Sequence, residues 1–313
     1  MIEKIIDSEE QIFMAGIPRI LLLGASGQVG RELQRSFAGL GEVVTPDRQA
    51  GDLSSEEGLR TLVRGVQPGI ILNAAAYTAV DRAEQEQELA MAINARAPGV
   101  LAEEALRGNA LLVHYSTDYV FDGSKRTPWV ETDATGPLNV YGATKLAGEQ
   151  AIQSVGGQYL IFRTSWVYGP HGKNFLFTML RLGRERSKLS IVADQQGAPT
   201  TSIEIADATR GVVDAIRSGQ CGAPAEWAGV YHMTCAGETT WFGFAQGIFA
   251  RAAQKLAAAQ PELTPIASSD FPTPARRPAY SVLSNQKLDQ RFRVRLAHWE
   301  AALDAVMDAL PTA

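Results

Sequence analysis

Cysteine is scarce in this chain: two in 313 residues, Cys221 and Cys235. That is too few for a disulfide-stapled secreted scaffold, and their spacing suits no metal site. They read as reduced thiols, which places the expected location in the cytoplasm. No apolar run is long enough to span a membrane, so no membrane partner is expected. No cluster of Lys or Arg interrupts a net charge of −5, so no nucleic-acid footprint is expected either. Met1 to Glu10 carries four acids and lacks a basic start followed by an apolar stretch, which excludes a signal peptide. Residues 1–17 read as an N-terminal extension. Neither an internal repeat nor a long linker is visible.

What is present is a strand–helix alternation. Short apolar runs at Arg19–Leu23, Glu42–Thr45, Ile70–Asn73, Ala110–Ser116 and Tyr159–Thr164 predict strands. Between them, Gln28–Ala38, Ser54–Val66, Asp81–Leu106 and Leu138–Gln153 predict helices, with Ser54 and Glu57 as a capping box and one interruption at Pro98. Such alternation predicts an α/β fold: a Rossmann-type, doubly wound parallel sheet covered on both faces. Beyond residue 168 the pattern loosens. Ile203–Arg217, Trp241–Ala258 and Trp299–Leu310 read as helices, and Pro261 to Pro278, with five prolines, as irregular. The expected division is a dinucleotide-binding domain over 18–168 with a returning segment near 195–220. A smaller α/β substrate-binding lobe takes 169–194 and 221–313, laid over the end of the sheet.

Gly24-Ala25-Ser26-Gly27-Gln28-Val29-Gly30 follows the first strand directly and opens a helix. Gly24 permits the tight turn, Gly27 lets backbone approach a pyrophosphate, and Gly30 allows close packing of helix on strand. The helix N-terminus then offers free N–H groups to phosphates. Three glycines are also what any strand-to-helix turn uses; the strand before, the helix after and the second strand ending near Asp47 favour the nucleotide reading. Asp47 lies where a carboxylate meets an adenosine ribose, as in NADH sites, and Arg48 beside it suits the 2′-phosphate of NADPH, so the cofactor choice stays open. Asp52 and Leu53 form a further adenine-side loop or a plain turn.

Tyr141-Gly142-Ala143-Thr144-Lys145 sets a phenol and an ammonium four residues apart, on one face of a helix. Of eight tyrosines only Tyr141 has Lys at that spacing. A cation near a phenol is expected to lower its pKa and make it a usable general acid and base. An ordinary surface pair has the same spacing. What adds weight is Ser116-Thr117-Asp118, at the carboxyl end of a predicted strand, where such sheets bind ligands. A hydroxyl there can hold a substrate carbonyl. His114, on an apolar strand, reads as a satisfied core residue.

These segments, with Asn73–Asp81, His114–Phe121, Phe162–Tyr168, Asp194–Thr200 and Pro272–Pro278, resemble the extended short-chain dehydrogenase/reductases. More narrowly, they resemble the dTDP-4-dehydrorhamnose reductase family, over about Ile20 to Leu310. The resemblance implies reduction of the 4-keto group of dTDP-4-dehydro-β-L-rhamnose by NADPH or NADH. Carried over by motif, Tyr141 is the proton donor, Lys145 holds the nicotinamide ribose, and Thr117 binds near the sugar 4-oxygen. Gly27, Gln28 and Val29 meet the pyrophosphate, with Gly24 in the cofactor-binding turn before them. Asp47, Arg48, Asp52 and Leu53 lie near the adenosine, while Ala76, Tyr77 and Thr78 line the cofactor. Thr117, Asp118 and Trp166 contact the sugar nucleotide; a Trp after a buried strand is most often core, but the family motif favours an aromatic face for the thymine or sugar. Arg276 and Arg277 could grip the diphosphate or be solvated loop charges. Two positions depart from the family pattern. Tyr77 replaces an expected His. Some members bind Mg²⁺ through glutamates at a contact between copies; Glu32 and Glu300 match two such places, but Ile203 stands at the third, beside Glu204. Mg²⁺ is therefore doubtful, no metal ligand is assigned, and a homodimer stays open. The alternatives are another nucleotide-sugar 4-ketoreductase or epimerase of the same fold, and a non-catalytic nucleotide-binding regulatory subunit.

Overall fold

A computed structural model describes residues 18–256 and 260–310; the expected extension over 1–17 lies outside the described residues. Its main elements are β1 (Arg19–Leu23), α1 (Gln28–Phe37), β2 (Glu42–Val44), α2 (Glu56–Val66), β3 (Ile70–Asn73), α3 (Ala97–Arg107), β4 (Leu111–Thr117), α4 (Val140–Val155) and β5 (Tyr159–Thr164). They continue with α5 (Phe175–Glu185), β6 (Lys188–Val192), α6 (Ser202–Arg217), β7 (Gly229–His232), α7 (Trp241–Leu256), β8 (Glu262–Ile266) and α8 (Trp299–Ala309).

The first five strands and β7 form one parallel sheet, in the order β7-β5-β4-β3-β1-β2. Ile20 to Leu23 are at most 1% exposed, as a strand covered on both faces requires. One face packs against α1 and α6 through Leu33, Phe37, Ile205 and Val212; the other packs against α2, α3 and α4 through Leu59, Val63, Leu101 and Ile152. Each such aliphatic or aromatic side chain contributes about 1.5–3 kcal/mol when fully buried. β7 belongs to this sheet although 229–232 falls in the segment expected to build the second lobe. A separate core joins α5, α7 and α8 around Met179, Phe244, Phe249, Trp299 and Leu303.

Three local expectations need correction. The cap of α2 is Ser55, whose Oγ accepts from Gly58 N; Ser54 instead donates to Asp52 Oδ1 at 2.7 Å, so the helix starts one residue later. The segment 81–106 is not one helix interrupted at Pro98. It breaks after Val80–Ala83, resumes at Gln87–Met91 and widens to a π-turn at Ala92–Arg96, and Pro98 sits in the first turn of α3. Pro98 has no N–H to give, and the π-turn that runs straight into α3 lies where that donor would have bonded back. Finally, 261–278 is only partly irregular. β8 pairs in parallel with β6 across all five residues, Pro265 included, in a two-stranded sheet where each strand is an edge and needs no donor on its outer side.

Candidate active site

A cleft of about 1260 Å³ runs along the carboxyl ends of β1, β3, β4 and β5. One end is built from the glycine turn. Gly24 has φ +80°, and a Cβ there would come within 2.6 Å of Ala75 N; a Cβ on Gly30 would meet Gly24 O at 2.1 Å. Gly27 is less crowded, its Cβ position lying 3.2 Å from Gly24 O, and it lines the cleft with Gln28 and Val29. The first N–H groups of α1 have no side-chain cap. Bare backbone donors at a helix start that no side chain occupies fit a diphosphate.

Arg31, Gln34, Asp47, Arg48, Asp52 and Leu53 line the same end. Asp47 Oδ1 accepts from Gln49 N and Ala50 N at 3.0 and 2.8 Å, so half of this carboxylate is spent on its own turn. Asp52 likewise holds Ser54, and those hydrogen bonds keep its carboxyl below the usual range. Two guanidinium groups beside a partly committed carboxylate suit an adenosine end with a 2′-phosphate as well as one without.

The middle of the cleft is walled by Thr117, Asp118, Tyr119, Tyr141 and Lys145. Asn139 caps α4, its Oδ1 accepting from Gly142 N at 2.8 Å while its Nδ2 donates to Arg276 O at 2.7 Å. Gly142 lets the first turn of α4 lie against Tyr119, where a Cβ would meet the carbonyl oxygen at 2.2 Å. The Tyr119 and Tyr141 rings meet edge-on at 5.7 Å. Burial pushes the Tyr141 phenol up to about 12, with hydrogen bonding to Thr117 acting the other way. The expectation that Lys145 lowers this pKa is not met. The Lys145 ammonium turns instead to the end of β4, donating to Tyr115 O at 2.6 Å and His114 Nε2 at 3.3 Å. Burial brings Lys145 down to about 8, partly opposed by Glu149. Thr117 Oγ1 donates to Asp118 Oδ1 at 2.9 Å, and burial pushes the Asp118 carboxyl up to about 6. Asp118 Oδ2 and Thr164 Oγ1 are buried without a partner, on residues that line the cleft.

Trp166 and Trp241 also line the cleft and stack on each other, ring centroids 3.6 Å apart and planes 7° from parallel. Trp166 holds φ +46°, which a bulky residue adopts only under constraint. Ala76 and Thr78 line the cleft. Tyr77 does not: its hydroxyl donates to Glu86 Oε2 at 2.5 Å, away from the cavity. Arg276 is exposed and also outside the lining, and Arg277 is tied to Asp81 at 2.9 Å. Trp241, Thr164 and Arg31 were not foreseen as site residues; Trp241 opens a helix and carried no motif. Glu32 pairs with Arg35, and Glu204 accepts from Ala297 N. Among the described residues no group of three His, Cys, Asp or Glu gathers as a metal site would need.

The model of the RmlD substrate binding domain matches residues 18–311. The chain is similar to the dTDP-4-dehydrorhamnose reductase of Burkholderia thailandensis, 51% identical over 289 residues, which span 91% of this chain and 96% of that protein. It is also similar to that of Escherichia coli K12, 46% identical over 298 residues, or 94% of this chain and 98% of that one. Its fold is similar to the crystal structure of the Bacillus anthracis dTDP-4-dehydrorhamnose reductase in complex with NADP, with a TM-score of 0.86 at 33% identity, covering 94% of this chain and 99% of that chain. With a matched family model and a shared fold over almost its whole length, the chain belongs to the dTDP-4-dehydrorhamnose reductase family.

Proposed function

We propose that this protein reduces the 4-keto group of dTDP-4-dehydro-β-L-rhamnose to the alcohol of dTDP-β-L-rhamnose, using NADPH or NADH. The observation that carries the reading is one cleft that joins the glycine turn, Thr117, Tyr141 and Lys145. When bound, the reduced nicotinamide supplies a hydride to the sugar C4. Every other task falls to the chain. Tyr141 Oη gives its proton to the 4-oxygen, and a phenol held at about 12 stays protonated at neutral pH, as a proton donor must. Thr117 orients that oxygen. Lys145, buried at the end of β4, holds the nicotinamide ribose. Gly27, Gln28 and Val29 receive the diphosphate of the cofactor. Trp166 offers an aromatic face to the sugar nucleotide, with Asp118 as a hydrogen-bonding group beside it.

Among the described residues no helix is long and apolar enough to cross a membrane, and Cys221 and Cys235 are free thiols. Together with the need for reduced nicotinamide, this supports a cytoplasmic setting. The decisive experiment follows NADH and NADPH oxidation separately, with dTDP-4-keto-6-deoxy sugars as substrates. One cofactor oxidised per ketone reduced is expected. An epimerase of this fold recycles its nicotinamide and shows no net oxidation, and a regulatory subunit turns over nothing; either result overturns the reading.

A further inference from the structure

His114 is 1% exposed, lies on β4 three residues before Thr117, and takes no part in the chemistry described above. It nevertheless touches that chemistry through one atom. Its Nε2 lies 3.3 Å from Lys145 Nζ, and its Nδ1 lies 3.1 Å from the carboxamide of Asn73 at the end of β3. A protonated lysine has three donors and no acceptor, so the imidazole nitrogen facing it must be the unprotonated one. The ring's single proton then sits on Nδ1. A donor there needs an acceptor, so the Asn73 carboxamide presents Oδ1 to it. That orientation also gives a partner to a buried oxygen that has none when the amide faces the other way.

We propose that His114 is a positioning residue for Lys145, locked as the Nδ1–H tautomer by Asn73. Its Nε2 and the Tyr115 carbonyl take two of the three ammonium N–H groups, and the third is the one left for a ligand in the cleft. A cationic ring is excluded by its surroundings: burial and the adjacent Lys145 charge both hold His114 well below its ordinary value. The carboxylate that acts on Lys145 is Glu149, also on α4, and it is engaged with Arg163 of β5 and with Ser116 of β4. Across β3 the facing polar group is Asn73. His114 therefore meets the lysine as a neutral acceptor, which favours the ammonium against its burial.

The kinetic arm of the test rests on the reductase reading; the spectroscopic arm does not. In nitrogen-15-labelled protein without added ligand, Nε2 of His114 should show the shift of an unprotonated ring nitrogen and Nδ1 that of a protonated one, with no titration around neutrality. An Nε2–H tautomer, or a ring that titrates near neutrality, overturns the proposal whatever the enzyme does. In the kinetic arm, His114→Leu removes the acceptor. It should move the alkaline limb of kcat/KM to lower pH and lower kcat/KM for the cofactor about tenfold or more, the loss expected for one hydrogen bond to a charged group. His114→Gln, whose carboxamide oxygen can accept from Lys145, should restore much of both. An alkaline limb identical in wild type and His114→Leu would make the residue mere core filling and refute the positioning role. If His114→Leu fails to fold, the comparison of His114→Gln with wild type and the tautomer assignment still decide.

Discussion

The Trp166–Trp241 stack makes a sharp prediction through a glycine. A Cβ built on Gly197 would lie 2.5 Å from Trp166 Cε2 and 2.7 Å from both Cζ2 and Nε1. Carbon contacts settle at about 3.5–4.0 Å, so in Gly197→Ala the indole must move by roughly 1 Å. It cannot do so freely. Its backbone is already in the left-handed region at φ +46°, its carbonyl accepts from Thr200 N at 3.3 Å, and its ring lies 3.6 Å from Trp241. Gly197 is itself fixed, paired with Thr239 in a short antiparallel ladder. Overpacking of this kind costs about 1–3 kcal/mol. If Trp166 supplies the aromatic face of the sugar-nucleotide site, much of that cost appears in binding, as about a ten- to hundredfold rise in KM for the keto sugar. On the proposed reading the cofactor diphosphate is held by the glycine turn and not by Trp166, so the dissociation constant for NADPH should stay within about twofold, a difference worth less than 0.5 kcal/mol. Initial rates at saturating NADPH give the first quantity, and fluorescence titration of NADPH the second. A folded Gly197→Ala protein with unchanged sugar KM, or one that loses both ligands by the same factor, would refute the placement of Trp166 in the substrate site.

Further outcomes follow from the same geometry. If Tyr141 is the proton donor proposed above, Tyr141→Phe should lower kcat by about 10²–10⁴-fold with cofactor affinity retained, read by single-turnover kinetics and fluorescence titration. Lys145 is a cation below its pKa of about 8 and a neutral amine above it, so log kcat/KM should decline as pH rises through that value, and a flat profile would remove the ammonium from the mechanism. Away from the site, Glu104 is 2% exposed and hydrogen bonding from Arg64, then Arg107, holds it at about 2. Its folded pKa is depressed, so its stabilisation is fully present above about pH 4.5 and is lost as pH falls toward 2. Glu104→Gln should destabilise the protein by about 1–2 kcal/mol at neutral pH, a value discounted because Arg64 and Arg107 are half exposed, and the difference in urea midpoint should vanish near pH 2.

The parts of this fold that are legible in the sequence are those fixed by short-range rules. Arg19–Leu23 could be placed to the residue because an unbroken apolar run bounded by a glycine turn has one good use in a parallel sheet. Tyr141 and Lys145 fall on one helix wall because spacing alone puts them there. The rest depends on which partner wins. Ser54 reads as the cap, but Asp52 takes its hydroxyl, and the cap falls to Ser55. Pro265 argues against a strand until it is known that the strand has an open edge. Trp241 looks like any aromatic at a helix start, and only the return of the chain onto Trp166 makes it part of a site.

The largest gap between pattern and chemistry lies in the pair itself. Four-residue spacing suggested that the ammonium tunes the phenol directly. A shared helix face, however, brings two side chains to one wall without deciding what each end touches. Lys145 carries its charge into a region where burial opposes it, so its orientation is set by the strongest acceptors within reach, the Tyr115 carbonyl and the His114 ring at the end of β4. Tyr141, released from the ammonium, keeps its proton because it is buried against Tyr119 and near the Asp118 carboxyl. The two groups thereby divide the work. At neutral pH one stays a protonated phenol and the other an ammonium, as the proposed roles of proton donor and ribose ligand require. A phenol drawn down toward neutrality by direct contact would be partly ionised before the substrate arrived, and that fraction could give no proton to the oxygen.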